Sequence, residues 1–355
     1  MMENRFNRRI KANQEILTKI SQIDQFKGFW QGGVNLSPQI LGRIKSWVII
    51  TSAGASTRIE GSRMTDEEIA RFLRGFNAKN PKNRDEQEVA GYADLMARIF
   101  DNYRTMKLSE NWILQFHEIL LHFSEKDRTH KGKYKIADNA VAMINEKGER
   151  VILFEPTPPH LVKPEMQTII EWTNEQLESG KVHPVLIIAN FIFEFLAIHP
   201  FEDGNGRISR ALTNLLLLKE GYSYVPYVSL DEIIEETKAD YYLALRATQK
   251  KHKTGDDDIT PWVDYFLLIL VEQAKRARKL MESRDSEKLL SGRQSQVYAL
   301  FKGNGELGVA EIDHLLKGKI PQATIKQALS RLVKLKLLER MGQARSTRYR
   351  KIIKN

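Results

Sequence analysis

The feature that most constrains the fold of this chain is the helical spacing of its apolar residues. Between Pro38 and Ser56, for example, Ile40, Ile44 and Trp47 fall on one stripe of a helix. Comparable patterns predict further helices over residues 85–105, 109–123, 164–178, 184–198, 206–220, 231–250 and 260–283. The spacing therefore predicts an all-α body.

The most apolar stretch of the chain, PVLIIANFIFEFLAI at 184–198, bears on the class of protein. It is shorter than the roughly 20 residues that a membrane helix needs, and it contains Asn190 and Glu194. We therefore predict a buried helix of a soluble domain and no membrane association. The N-terminal segment is positively charged, but no apolar run follows it, so no secretory signal is expected.

Cysteine is absent from the 355 residues. This absence excludes disulfides, thiolate metal sites and cysteine nucleophiles. It fits a reducing compartment, and we expect a cytoplasmic protein.

One segment departs from the helical pattern. Residues 133–162 contain two β-rich runs on either side of Glu-Lys-Gly, followed by a proline-rich exit. This pattern is typical of a short β-hairpin attached to a helical body.

The C-terminal segment differs from the rest of the chain in its charge. Residues 292–355 carry 14 Lys and Arg but only four Asp and Glu, an excess equal to the whole net charge of +10. Helical pieces over 293–301, 309–316 and 322–335 precede a closing hairpin, which is the order of a winged helix-turn-helix. The charge predicts docking of DNA or of a protein through residues 290–355, and a merely solvated basic surface is the alternative.

The segment that carries chemistry is HPFEDGNGRISR, residues 199–210, between two apolar helices. Gly204 and Gly206 allow backbone N–H groups to approach an anion closely, and the following helix adds the positive end of its dipole. Arg207 and Arg210 are three residues apart, so both guanidiniums can face the same side of the first helical turn. The segment therefore predicts a polyphosphate site.

Two further side chains of this segment suit phosphate chemistry. Asp203 lies just before the glycine turn, where a carboxylate can hold Mg²⁺ that bridges phosphate oxygens. His199 carries a side chain whose pKa suits proton acceptance near neutral pH. Each of these residues alone is more often structural, but their combination within so short a segment favours a functional site.

The segment resembles the signature of Fic-domain proteins, His-x-Phe-x-Asp/Glu-Gly-Asn-Gly-Arg-x-x-Arg, at every specified position. The resemblance covers roughly residues 37–280. It implies an all-helical fold and the transfer of AMP from ATP to a side-chain hydroxyl of a target protein. It also implies that His199 is the general base, that Phe201 anchors the loop in the core and that Asp203 binds Mg²⁺.

The resemblance also assigns the phosphate contacts. It implies that Asn205, together with the amides of Gly204 and Gly206, holds the α- and β-phosphates. Arg207 would steady the β-phosphate, and Arg210 would steady the γ-phosphate.

A second resemblance concerns restraint of the activity. Fic proteins that restrain themselves carry Ser/Thr-x-x-x-Glu-Gly/Asn on a helix, and this chain has STRIEG from Ser56 through Glu60 to Gly61. Its position resembles the class in which the inhibitory helix precedes the Fic core. The resemblance implies that Glu60 pairs with Arg210, which then cannot also bind a γ-phosphate.

The predicted hairpin resembles the flap of Fic proteins, which holds a target backbone by strand addition. Its predicted target-facing and nucleotide-facing edge consists of Val151, Ile152, Leu153 and Phe154. Gly132, Tyr134 and Lys135 resemble the lead-in Gly-x-aromatic-Arg, with Lys at position 135 where Arg is usual. A plain stabilising hairpin is the alternative.

Downstream of the motif, Tyr241 and Tyr242 resemble the Tyr-Tyr segment that borders the adenine and ribose, and Gln249 follows about two turns later. Aromatic residues at helical spacing are more often core residues, so we expect at most one of the tyrosines to contact nucleotide.

These patterns predict an N-terminal helical region over 1–105 with an inhibitory helix at about 38–61, a Fic domain over 106–283 and a winged-helix domain over 284–355. The predicted function is a self-restrained protein adenylyltransferase that uses ATP and Mg²⁺ and modifies a Ser, Thr or Tyr hydroxyl of a protein target or of itself. The alternatives are a Fic enzyme that removes AMP or transfers another group, and a DNA-binding regulator whose Fic domain is only a sensor. Family members often form dimers, and the sequence leaves a homodimer open.

Overall fold

The chain forms two compact units, Met1–Lys279 and Leu280–Asn355. The computed structural model describes residues 5–11, 13–33, 36, 38–74, 80–139, 141–144, 150–282, 292–301, 305–334, 337–342 and 347–352. The predicted domain boundaries after residues 105 and 283 stay predictions.

The body of the first unit is helical, and one β-hairpin is attached to it. The hairpin pairs β1 (Val141–Ile144) with β2 (Arg150–Phe154) in antiparallel fashion. The described helices up to residue 282 are α1 (Arg5–Arg8), α2 (Gln14–Gly33), α3 (Pro38–Ile59), α4 (Asp66–Arg74), α5 (Arg84–Asn102), α6 (Glu110–Leu120), α7 (Pro159–Ser179), α8 (Pro184–Ile198), α9 (Asn205–Lys219), α10 (Leu230–Glu236), α11 (Lys238–Gln249) and α12 (Thr260–Glu282). The prediction of a helical body with a short hairpin is confirmed. In the described part of the chain, every helix is too short or too polar to cross a lipid bilayer.

Local capping explains where several helices begin. Before α4, the Thr65 N–H donates to Glu68 Oε2 (2.9 Å), and the Glu68 N–H donates to Thr65 Oγ1 (3.3 Å). This reciprocal pair satisfies two donors that the first helical turn would otherwise leave without acceptors. Asn83 and Ser109 accept hydrogen bonds from the first turns of α5 and α6 in the same way.

Some helices differ from the prediction. Helix α7 begins at Pro159 rather than residue 164, because a proline at the first helical position lacks only an N–H that has no partner there anyway. The predicted helix 231–250 is interrupted at Thr237, whose hydroxyl donates to the Ile233 carbonyl (2.7 Å). Helix α2 was not predicted, although its buried side chains follow helical spacing: Ile16, Ile20, Ile23, Phe26 and Trp30.

Helix α8 lies at the centre of the first unit and packs against α7 and α9. Nearly all of its side chains are buried, including those of Asn190 and Glu194. The buried Arg9 donates to Asn190 Oδ1 from Nε (2.9 Å) and to Glu194 Oε2 from NH1 (2.6 Å). Burial alone would raise the pKa of Glu194, but a hydrogen bond from His252 and the charge of Arg9 hold that pKa well below its usual range. The two polar residues therefore anchor the N-terminal segment to the core.

The second unit has its own small core. Its elements are α13 (Gly292–Tyr298), β3 (Glu306–Leu307), α14 (Val309–Leu315), α15 (Gln322–Lys334), β4 (Leu338–Met341) and β5 (Arg348–Lys351), and the antiparallel sheet has the order β3-β5-β4. Apolar side chains of all three helices meet in the core, among them Val297, Ile312 and Leu329. The three predicted helices and the closing hairpin are confirmed, whereas β3 was not predicted. The assignment of this unit as a winged helix stays a prediction.

Candidate active site

The segment predicted to carry chemistry connects α8 to α9, and we call residues 199–204 the motif loop. His199 ends α8 in the left-handed conformation, with φ of 52°, and its N–H donates to the Phe195 carbonyl (2.9 Å). This conformation costs a non-glycine residue roughly 1–2 kcal/mol, and such residues concentrate at functional sites. The turn directs the chain away from α8 immediately before the buried Phe201.

A reciprocal clamp closes the motif loop. The Phe201 N–H donates to Asn205 Oδ1 (2.9 Å), and Asn205 Nδ2 donates to the Phe201 carbonyl (2.8 Å). Both polar groups of the buried Asn205 side chain are therefore engaged within the loop itself. The expected contact of this side chain with phosphate stays a prediction, and the contact it makes here fixes the loop geometry instead.

The motif loop ends at Gly204, which precedes the first turn of α9. Its φ is 83°, and a Cβ at this position would lie 2.9 Å from Leu120 Cδ2, so both conformation and space favour glycine. The first N–H groups of α9 have no intrahelical acceptor and lie at the positive end of the helix dipole. The start of α9 is therefore able to bind an anion.

His117 of α6 contacts the motif loop through its ring and both of its ring nitrogens, and no sequence pattern predicted this role. Its ring stacks on Phe201 with centroids 3.8 Å apart and an interplanar angle of 12°. Its Nδ1 accepts from the Gly132 N–H (3.0 Å), so the proton is on Nε2, which donates to the Asp203 carbonyl (3.1 Å). Burial lowers the pKa of His117 to about 4, which keeps the ring neutral near pH 7.

Arg207 is buried among acidic groups. Its NH2 donates to Asp203 Oδ1 (3.0 Å), and its NH1 lies 3.5 Å from Glu88 Oε2 without the alignment of a hydrogen bond. Burial alone would raise the pKa of Asp203, but the Arg207 charge and the Gly204 N–H hold it below its usual value. Asp203 is therefore ionised at neutral pH.

Arg210 is only 2% exposed and connects α9 to two other helices. From α3, Ser56 accepts from Nε with its hydroxyl (2.8 Å) and from NH2 with its carbonyl (3.0 Å), and Glu60 Oε1 accepts from NH2 (2.9 Å). From α10, Asp231 Oδ1 lies 3.4 Å from Nε. Burial opposes the charge of Arg210, but Glu60 and its other neighbours raise its pKa above the usual value, so the guanidinium is charged. The sequence predicted the partner Glu60 but not Asp231.

The end of α3 approaches the start of α9 closely. A Cβ on Gly206 would lie 2.3 Å from Glu60 Oε1 and 3.1 Å from Arg210 NH1, so glycine permits this approach. Gly61, with φ of 110°, turns the chain away directly after Glu60. A cavity of about 110 Å³ opens at this point, and its lining includes Glu60, His199, Gly206, Tyr241, Tyr242 and Gln249.

The two tyrosines differ in their surroundings. Tyr241 is 4% exposed and packs edge-on against Trp262 and Tyr265, whereas Tyr242 is half-buried. Burial raises the pKa of both hydroxyl groups. Of the two, Tyr242 has the more accessible ring.

His199 is held in its neutral form. Burial lowers the pKa of His199 to about 4, and the positive charge of Lys135 acts in the same direction. Burial also lowers the pKa of Lys135 to about 8. The Lys135 N–H donates to the Pro200 carbonyl (2.9 Å), and its Nζ donates to Asn139 Oδ1 (2.7 Å). Although Lys135 stands where Arg is usual, it contacts the motif loop directly.

The motif loop belongs to a segment that matches a known protein family. Residues 107–217 match the Fic/DOC family. Residues 107–217 of the chain are therefore a Fic domain. The motif loop and the first turn of α9 lie within the matched residues, whereas Glu60, Asp231 and the tyrosines lie outside them.

Individual relatives match parts of this chain. It is 32% identical over 112 residues to protein adenylyltransferase fic-1 of Caenorhabditis elegans, a match that covers 32% of this chain and 20% of that protein. It is 29% identical over 213 residues to protein adenylyltransferase Fic of Drosophila grimshawi, which covers 59% of this chain and 39% of that one. The matches therefore span less than half the length of either relative.

A solved structure resembles the whole chain. The crystal structure of a Fic family protein from Desulfovibrio desulfuricans matches with a TM-score of 0.65 and 21% identity over 98% of both chains. At this identity the likeness shows the fold. The predicted Fic helical fold is confirmed.

The hairpin predicted to act as a flap is described only in part. Residues Val151, Ile152 and Leu153 belong to β2, but their side chains lie outside the described structure, so their predicted role stays a prediction. The Phe154 ring lies 6.4 Å from the ring of His252, which in turn contacts Glu194. The end of β2 is therefore close to the polar network of α8.

The residues of the Fic motif suit a magnesium ion only in combination with a substrate. Within the described residues there is no group of three acidic or histidine side chains that could hold a metal ion. Mg²⁺ in phosphate chemistry usually takes one or two carboxylates plus phosphate oxygens. Asp203 Oδ1 accepts from Gly204 and Arg207, and no described residue donates to Oδ2. The ionised Asp203 therefore fits Mg²⁺ brought with a nucleotide.

Proposed function

We propose that this chain is a protein adenylyltransferase that moves AMP from ATP to a Ser, Thr or Tyr hydroxyl of a protein, itself included. One observation carries the proposal: the neutral His199 and Gly206 of the first turn of α9 line one cavity together with Glu60, whose carboxylate accepts a hydrogen bond from the guanidinium of Arg210. A base, an anion-binding helix end and a cation are the groups that phosphoryl transfer needs. The relatives named adenylyltransferases support the same reaction.

The reaction assigns a role to each group. His199 accepts the hydroxyl proton while the oxygen attacks the α-phosphorus, the bond to the β-phosphate oxygen breaks, and pyrophosphate leaves. The first-turn amides of α9 and Arg207 bind the α- and β-phosphates. Negative phosphates near His199 favour its protonated form, so substrate binding raises the pKa of the imidazole toward neutrality. Asp203 would hold Mg²⁺, and the ion would supply neutralisation of phosphate charge.

Glu60 restrains this reaction in the proposal. Its carboxylate engages the edge of Arg210 that a γ-phosphate would need, and a guanidinium edge cannot serve both. The cavity of about 110 Å³ is also smaller than the roughly 300–1,000 Å³ of ordinary small-molecule sites. Withdrawal of Glu60 would leave the Arg210 guanidinium free to bind a phosphate and would enlarge the cavity.

Intact mass spectrometry tests the proposed function. The wild-type chain and the variant Glu60→Gly are incubated with ATP and Mg²⁺, and we expect a mass gain equal to AMP that is larger in the variant. The matched control is Glu67→Gly, which removes an exposed carboxylate from α4. Equal modification of wild type and Glu60→Gly would contradict the restraint, and absence of any AMP adduct on the chain or on added lysate proteins would contradict the transfer.

A second candidate function concerns the second unit. Its α15 exposes Lys326, Gln327 and Ser330, and the turn before it exposes Lys317 and Lys319. Cationic and hydrogen-bonding side chains on one helix suit duplex DNA.

Fluorescence anisotropy of the full chain with duplex DNA tests this binding. We expect affinity to fall steeply with salt and Lys326→Ala to weaken it. The control Arg348→Ala removes a cation that already pairs with Glu311 and is expected to matter less. An affinity that changes neither with salt concentration nor with either substitution would contradict a DNA site on α15.

A further inference from the structure

Arg210 has two acidic partners, Glu60 and Asp231, which differ in burial. We propose that Asp231 is the permanent counter-ion and positioning residue of Arg210, and that Glu60 is its exchangeable partner, whose place the γ-phosphate takes. This inference rests on the proposed function and extends it to a residue outside the Fic motif.

Burial separates the two acids. Asp231 is 0% exposed, whereas the Glu60 side chain is 35% exposed at the end of α3. Asp231 also accepts a hydrogen bond from the buried Tyr92 hydroxyl (2.7 Å), which fixes the carboxylate in place. Withdrawal of Asp231 would require α10 to open, but withdrawal of Glu60 requires only a side chain to turn into solvent.

Charge compensation makes a fixed partner necessary. Among the described residues, Glu60 and Asp231 are the carboxylates within ion-pair distance of Arg210. A buried guanidinium left without a counter-ion is strongly destabilising. Between the departure of Glu60 and the arrival of a phosphate, Asp231 is the acid that compensates the charge.

The arrangement also orients the guanidinium. Its Nε edge faces Ser56 Oγ and Asp231, whereas NH2 faces Glu60. NH1 is buried, has no hydrogen-bond partner among the described residues and lies beside Gly206. NH1 and NH2 therefore present their shared edge to the start of α9, where a bidentate contact with phosphate can form. Asp231 and the Ser56 hydroxyl hold the Nε side of the guanidinium and so fix this direction.

The first test measures stability and does not depend on activity. Glu60→Gln, Asp231→Asn and the double variant are unfolded with urea at pH 7, and we expect the midpoint of the double variant to fall by more than the two single shifts combined. The matched control pairs Glu60→Gln with Glu236→Gln, an exposed acid of α10 that contacts Arg276, and its shifts should add. Additive shifts for Glu60 and Asp231 would overturn the proposal.

The second test uses nucleotides that differ by the γ-phosphate. In the Glu60→Gln background, Asp231→Asn is expected to weaken ATP binding at least about tenfold in calorimetry and to leave ADP binding unchanged, because Arg210 serves the terminal phosphate. Equal weakening of both nucleotides, or unchanged ATP binding, would overturn the positioning role. If neither nucleotide binds Glu60→Gln, the proposed function fails, and the unfolding cycle still decides whether Asp231 compensates Arg210.

Discussion

The motif loop and the end of α3 contribute to the same cavity but are held in very different ways. The loop is fixed by buried contacts from three sides: the clamp between Phe201 and Asn205, the ring of His117 and the backbone of Lys135. At the end of α3, the Glu60 carboxylate is partly exposed, and within the part of the chain that the structure describes it accepts one hydrogen bond, from Arg210. The loop proposed for chemistry is therefore fixed by buried contacts with the core, whereas the carboxylate proposed for restraint is partly exposed and has few contacts.

The two regions should therefore respond differently to mutation. Substitutions at the supports of the motif loop should affect stability and activity together, because each support satisfies buried polar groups. Substitutions around Glu60 should change activity with little change in stability, because the exposed carboxylate contributes little to folding.

The largest effect is expected at the start of the motif loop. His199→Asn in the Glu60→Gly background should lower AMP transfer about 10²- to 10⁴-fold, because a general base contributes about that factor. Asn tolerates the left-handed conformation that His199 adopts, so the loop should keep its shape. Transfer is measured with labelled ATP, and unchanged far-ultraviolet circular dichroism serves as the folding control. Full activity of this variant would remove His199 from the mechanism.

An intermediate effect is expected at His117, below the loop. His117→Phe keeps a ring against Phe201 but leaves the Gly132 N–H and the Asp203 carbonyl without partners. Each unsatisfied buried group costs about 1–3 kcal/mol, so the free energy of unfolding at pH 7 should fall by that order. Urea unfolding measures the loss.

The pH dependence of that loss identifies its cause. The pKa of His117 is about 4 in the folded chain, whereas that of an exposed histidine is 6.5. As pH falls from 7 to 5, the unfolded chain binds a proton that the folded chain does not, so the wild type loses about 2 kcal/mol that His117→Phe does not lose. The deficit of the variant should therefore shrink at pH 5. A pH-independent deficit of His117→Phe would contradict a buried neutral ring.

The contrast between the two regions also marks what the sequence could predict. The motif is local, so its loop, its glycines and the pair of arginines follow from adjacent residues. The pairing of Glu60 with Arg210 joins residues 150 positions apart, and it was accessible only because each belongs to a recognisable motif. His117 lies 86 positions before Asp203 and stands alone on an amphipathic helix, so no local pattern distinguishes it from a core histidine. Asp231 has the same limitation, because an acid in the first turn of a helix is ordinarily a favourable partner of the helix dipole.

The smallest effect is expected where α3 is tied to α10. Arg58 donates to Glu235 from Nε (2.6 Å) and NH2 (2.9 Å), two residues before Glu60, and this bidentate pair holds the end of α3 over the cavity. Both side chains are partly exposed, so Glu235→Gln should cost at most about 1 kcal/mol of stability. A loss of that size in the stability of the arrangement in which Glu60 contacts Arg210 corresponds to a rise of about fivefold or less in auto-modification with ATP, far below the rise for Glu60→Gly.

The contact between Arg58 and Asp66 provides the control, because Asp66→Asn leaves the link to α10 intact and should raise auto-modification less. Equal auto-modification of Glu235→Gln and Glu60→Gly would show that the restraint depends on the position of the whole end of α3 rather than on the Glu60 carboxylate. The motif loop and the end of α3 would then differ in how each segment is anchored, not in how easily one side chain moves away.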